Sequence, residues 1–235
     1  MLIRLIAYNK LIFYFWFVYI LIMRKINQPL LIGALVLCCN LPIFSQIQAI
    51  TSSGDEVLLY DDGTWVYADQ TDVEPVEILE NPNKFIKPSK SNFLAKSKKL
   101  NIGVWFDTKS WSFSKGEESE AAEYKFTNKT IDLYGMLISE RVTIPIENLR
   151  NIAIKNARAV ASDLVTFNEE YRYINGIRVL SMQMAGTIQG IRCVYHGYYY
   201  SNENGTIQLL MYSSDNLMKS HAQVIEDFLN GFVEL

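Results

Sequence analysis

Between residues 165 and 213, apolar and polar positions alternate in short runs separated by turn signals: VTFNEEYRYINGIRVLSMQMAGTIQGIRCVYHGYYYSNENGTIQLLMYS. Period-two alternation marks strands with one buried face, so this stretch predicts a four-stranded antiparallel meander. Asn175-Gly176 is the sharpest turn, since both residues tolerate the positive φ of a two-residue type I′ loop. The turn sets a register of Ile174 opposite Ile177, Tyr173 opposite Arg178, Arg172 opposite Val179 and Tyr171 opposite Leu180. Continued outward, Glu170 meets Ser181, Glu169 meets Met182, Asn168 meets Gln183 and Phe167 meets Met184. One face then collects Val165, Phe167, Tyr171, Leu180, Met182 and Met184. The other collects Thr166, Asn168, Glu170, Arg172, Ser181 and Gln183. The first is expected under a helix and the second in water. Glu169 falls on the apolar face and is out of place there.

Two stretches carry helical spacing instead. Pro145 opens one that runs to about Ala161, with Ile146, Leu149, Ala153, Ala157 and Val160 on one side. The last element starts at Ser214 or Asp215 and carries Leu217, His221, Val224, Ile225, Phe228 and Leu229 as a stripe. Asn230-Gly231 predicts a left-handed cap at its end. This helix is expected across the meander's apolar face, with Phe167, Leu180, Met184, Val224 and Phe228 sharing one core. Strand-like runs precede the helices at 102–106, 111–113, 123–127 and 132–141. Further upstream, Asp62-Gly63 predicts a hairpin that sets Tyr60 against Trp65 and Leu58 against Tyr67.

Composition changes the picture at the N-terminus. The chain has 235 residues, 49% hydrophobic and 20% charged. Residues 1–45 hold no acid and four bases, Arg4, Lys10, Arg24 and Lys25, so the remainder carries 18 basic against 25 acidic residues. An acidic remainder without a basic stripe excludes nucleic acid as an expected partner. Residues 11–23 and 30–39 are both apolar runs, and from Met23 the segment MRKINQPLLIGALVLCCNLPIFSQ has the basic, apolar and polar regions of a secretory signal. The chain is therefore read as an over-extended start plus signal peptide over 1–45, a hairpin segment over 46–67, a linker over 68–100 and an α+β domain over 101–235. The linker assignment rests on Pro75, Pro82 and Pro88 and on an acidic half followed by a basic one. Export to the periplasm or exterior follows, and the alternative is a membrane anchor through the uncleaved N-terminus. Without residues 1–45, Cys193 is the only cysteine, so the core alone must hold the domain.

Candidate chemistry is sparse. Neither HExxH nor GxSxG nor a phosphate-binding loop occurs, and Cys193 and His196, three apart on a strand, point to opposite faces and cannot share a metal. No metal or cofactor is expected. The best polar set is Asn168, Glu170, Arg172 and Gln183 on the meander's polar face, with Tyr198 and Tyr200 beside it as a binding surface for an unknown protein or small ligand. An enzyme using Glu169, Glu170 or His196 is the competing reading.

The segment EVLLYDDGTWVY resembles the DGTW hairpin that follows the signal peptide in exported proteins of Bacteroidetes type. From residue 101 onward, the order of strand pair, helix, meander and final helix ending FLNGF is similar to the PsbP/Mog1-like α/β/α sandwich. That resemblance implies an antiparallel sheet covered by helices, and a binding or accessory role. It carries over no site residue. Mass spectrometry of the natively produced protein is expected to find a mature N-terminus near Gln46. Intact residues 11–45 in the membrane fraction would sink the export reading.

Overall fold

The structure, a computed structural model, describes residues 47–51, 56–60, 65–67, 77–117 and 121–235. The leader or anchor expected within residues 1–45 lies outside them. No helix among the described residues is long and apolar enough to cross a membrane. The described residues fall into two units, one ending at Tyr67 and one starting at Glu77.

In the first unit, β1 (Ile47–Ile50), β2 (Glu56–Leu59) and β3 (Trp65–Tyr67) form an antiparallel sheet in chain order. Ala49 and Val57 face each other across β1 and β2 and are both buried. The hairpin exists, but its register differs from expectation by one residue. Leu59 pairs with Trp65 and Val57 with Tyr67, so Tyr60 is not opposite Trp65. A slip of one residue exchanges the faces of the partner strand.

The second unit is dominated by strands. Its large sheet has the order β4 (Leu79–Phe85), β10 (Val165–Ile174), β11 (Ile177–Ile188), β12 (Ile191–Asn202), β13 (Gly205–Ser214), β9 (Tyr134–Glu140), β8 (Ala122–Asn128), β7 (Trp111–Lys115). The expected meander, β10 to β13, sits at its centre. A second sheet pairs β14 (Phe232–Glu234) and β5 (Phe93–Lys96) on either side of β6 (Ile102–Phe106). Residues 79–85 and 93–96 are thus built into the two sheets, which corrects the linker reading over that part of it. Pro82 suggested a linker, yet it lies in an edge strand, where a missing N–H costs no ladder bond on the open side. β4 pairs in parallel with β10, so the sheet is mixed.

The register set by Asn175-Gly176 holds from Ile174↔Ile177 to Glu170↔Ser181 and then breaks. Asn168 has φ 52°, and a bulge shifts the pairing so that Phe167 meets Gln183 and Thr166 meets Met184. Asn is one of the few residues that adopts this left-handed conformation readily. Beyond the bulge each side chain changes face, so Phe167 leaves the core and is 36% exposed.

The terminal helix covers a face other than the one expected, and the earlier helix takes its place on the apolar face. α1 (Ile146–Val160) buries Leu149, Ile152, Ala153 and Ile154, and lies over β11 and β12 on the side of Leu180, Met182, Met184 and Tyr199. The terminal helix breaks at His221 into α2 (Asp215–Ser220) and α3 (Ala222–Leu229). These two cover the face of Arg172, Val179, Ser181 and Tyr198, together with the small sheet. The reason lies in β12 and β13. They add Val194, Tyr198, Ile207, Leu209 and Met211 to a face that looks polar in the first hairpin alone. Phe228 therefore belongs to a core with Phe106, Trp111 and Phe126, while Leu180 and Met184 belong to the opposite layer.

The left-handed cap after α3 is absent as well, since Asn230 is right-handed helical at φ −65°. Gly231 is required for a different reason: a Cβ there would lie 1.9 Å from the Trp105 carbonyl oxygen. The close approach lets the Trp105 amide donate to Gly231 O at 2.8 Å and starts β14 along β6. Phe228→Ala should destabilise the domain by about 3–5 kcal/mol, the usual cost of emptying a buried phenylalanine site. Urea denaturation measures this, and a loss below about 1 kcal/mol would show that α3 is peripheral.

Candidate functional site

Arg172 is where most of the sequence-selected residues meet. It projects from β10 toward α3 and donates from Nη1 to Glu226 at 2.6 Å and to the Tyr198 hydroxyl at 3.2 Å. Its Nε donates to Glu170, and its guanidinium lies 4.6 Å from the centroid of the Phe85 ring. Glu170 also takes a bond from the Asn81 amide of β4 at 2.9 Å. Tyr198, 1% exposed, donates its hydroxyl hydrogen bond to Asn230 Oδ1 at 2.9 Å, and burial pushes its phenol pKa upward. This set is a satisfied polar interior between sheet and helix. It is not the open binding surface expected of Glu170, Arg172 and Tyr198.

Asn168 and Gln183 lie apart from that group at the uncovered end of the hairpin, their side chains 3.4 Å from each other. The groups of the enzyme reading are occupied. Glu169, out of place by pattern, is buried and held bidentately by Arg150 of α1. His196 Nε2 lies 3.0 Å from Ser181 Oγ, both beneath α2 and α3. Burial, reinforced by the Arg172 charge, pushes the imidazole pKa down to about 3. Cys193 pairs with Ser214 and His196 with Met211, which places them on opposite faces as the strand period requires.

A concavity does exist at the other end of the hairpin. The β11–β12 ladder starts only at Leu180↔Tyr199. Beyond it, residues 177–179 stay paired with β10, and residues 200–202 stay paired with β13. The sheet therefore forks between two central strands and leaves a cleft of about 410 Å³. Ile146 and Ile177 supply partly exposed apolar surface above the buried Val179 and Leu180, and Tyr171, Arg178, Tyr200, Ser201 and Glu234 supply the polar groups. Arg178 lies over the Tyr171 ring at 3.6 Å, with its Nε 3.5 Å from Glu80. Glu234 accepts from the Tyr200 hydroxyl at 3.3 Å and from the Asn202 amide at 2.8 Å. Burial raises the phenol pKa of Tyr171, as the neighbouring Glu147 carboxylate also does, and burial raises that of Tyr200.

Of the sequence-selected residues, only Tyr200 lines this cleft. Arg178 and Tyr171 were visible as hairpin residues, but nothing in an alternating pattern signals that two paired strands separate. Glu234 lies in a three-residue strand too short to show a period. The cleft has the size and the mix of apolar and polar groups to hold a compact molecule. Among the described residues, no group of three or more His, Cys, Asp or Glu side chains could hold a metal ion.

No protein-family model matches the chain, and no curated protein matches it. Among solved structures, the chain is similar to cyanobacterial PsbP (CyanoP) from Synechocystis, with 10% identity over 63% of this chain and 95% of that one, TM-score 0.48. A crystal structure from Bacteroides thetaiotaomicron shares 9% identity over 62% of this chain and 49% of its own length, TM-score 0.43. A Pseudomonas aeruginosa protein of unknown function shares 9% identity over 60% of this chain and 95% of its own, TM-score 0.39. Likeness of this degree carries neither a family nor an activity to the chain.

The buried imidazole makes a pH prediction. Its folded pKa lies below the unfolded value of about 6.5, so the unfolded chain binds the extra proton between those values. Stability from this group is complete above pH 6.5 and is lost as pH falls toward 3. Denaturation midpoints are expected to drop more between pH 7 and pH 5 for the wild type than for His196→Gln. Parallel losses in the two proteins would contradict a neutral, buried His196.

Proposed function

We propose that the protein is an exported, non-catalytic binding or accessory module whose ligand site is the cleft between β11 and β12. The PsbP/Mog1-like element order supports the accessory reading, and the signal-like segment from Met23 supports export. One observation carries the site: a fork in the middle of a well-paired sheet leaves about 410 Å³, within the range of small-molecule pockets, with apolar walls and convergent polar groups. Glu169 and His196, which would serve an enzyme, are engaged in buried pairs elsewhere, and Glu170 in a part-buried one, which weighs for binding over turnover.

The test is ligand-observed NMR against a fragment set, comparing the wild type with Ile177→Trp, which fills the cleft from its half-exposed rim. Hits that compete with one another and vanish in a variant with unchanged circular dichroism support the reading. Hits that persist in the filled variant, an empty screen, or consumption of a compound by the wild type would each overturn it.

A further inference from the structure

We propose that the cleft takes a positively charged group on a short aliphatic chain, an alkylammonium or guanidinium, with Glu234 as its counter-charge. This rests on the cleft being the ligand site and adds the class of ligand to it.

The argument is one of charge balance. Two ionised side chains line the cleft, Arg178 and Glu234. Arg178 is engaged already: Glu80 faces its Nε at 3.5 Å, and one flat side of its guanidinium covers the Tyr171 ring. An incoming anion would have to compete with the Glu80 carboxylate for that cation. Glu234 is placed differently. It is held by two neutral donors, the Tyr200 hydroxyl and the Asn202 amide, both on one oxygen, Oε1. Neutral donors orient a carboxylate without balancing its charge, and its second oxygen adds acceptor capacity. The wall and its bordering acid thus amount to two carboxylates, Glu234 and Glu80, against one guanidinium. The partly exposed side chains of Ile146 and Ile177 suit an aliphatic stem, and long cationic side chains bind in this divided way. The Tyr200 ring adds a face that attracts a cation.

Such a group has two sources, a free di- or polyamine and a lysine or arginine side chain on a peptide. Isothermal titration with putrescine and with N-acetyl-lysine methylamide separates them, with glutarate as the anionic probe and butanol as the uncharged one. The two cationic probes, or the lysine derivative alone, are expected to bind, and Glu234→Gln to weaken them about tenfold or more. That is the loss expected when a hydrogen bond to a charged group goes, and Gln keeps the acceptor for Tyr200 and Asn202. Butanol binding should be unaffected by the same change. If glutarate binds instead and Arg178→Gln abolishes it, the cation inference is wrong while the cleft reading stands. If a cationic probe binds equally well to Glu234→Gln, Glu234 is not the counter-charge and the inference also fails. If no probe distinguishes the wild type from Ile177→Trp, the cleft itself is not the site.

Discussion

The guanidinium of Arg172 holds together elements that are distant in sequence. It is on β10, its carboxylate partners are on β10 and α3, its aromatic neighbour is on β4, and Tyr198 comes from β12. A charge in that position costs several kcal/mol of desolvation unless donors and acceptors are all matched. Here the matching extends outward. Tyr198 reaches Asn230 at the end of α3, and the Asn230 carbonyl takes a bond from the Asn175 side chain at 2.8 Å. Asn175 donates also to the Phe232 carbonyl and accepts from the Lys87 amide, both at 2.8 Å. A hairpin tip, the edge strand, the last helix and the last strand are thereby joined through one polar chain. Polar interiors of this kind stabilise little compared with apolar packing, but they penalise wrong arrangements heavily.

That network explains where the amino-acid pattern was informative and where it was not. Asn175-Gly176 determines local geometry, so five consecutive pairs of the hairpin could be read directly. The left-handed conformation of Asn168 and the bulge it makes lie outside what the alternating pattern shows. Glu169 keeps the face that alternation gives it, and its partner there is Arg150, 19 residues earlier in the chain. The exchange of helix faces has a similar origin. A face containing Glu170, Arg172 and Ser181 reads as wet in two strands, yet six further strands and two helices turn it into an interior. Amphipathic stripes identified α1 and the terminal helix, but which side each covers depends on strands from elsewhere in the chain. β4 and β14 were not legible because Pro82 and a three-residue length hide any period.

The cleft follows from the same tethers. The tip of the β10–β11 hairpin is held by Asn175 to Asn230 and Phe232. The tip of the β12–β13 hairpin is held differently, by Thr143 on the Asn202 and Glu203 carbonyls and by the close approach of Gly205 to Glu140. Two hairpin ends anchored to different neighbours need not stay side by side, and the ladder between them stops at Leu180↔Tyr199. The fork is thus the product of two well-satisfied ends. No loose strand is needed to explain it.

β14 spans the base of that fork. Its Phe232 carbonyl receives Asn175 from one prong, and its Glu234 carboxylate receives Tyr200 and Asn202 from the other. One short strand therefore fixes the separation of the prongs and supplies a charged wall. A ligand entering between them meets groups whose positions are already set, which lowers the ordering cost of binding. It also meets a carboxylate that cannot move toward it without releasing Asn202. The rigidity that makes the cleft persist is the same contact that points its charge, so shape and charge at this site cannot vary independently.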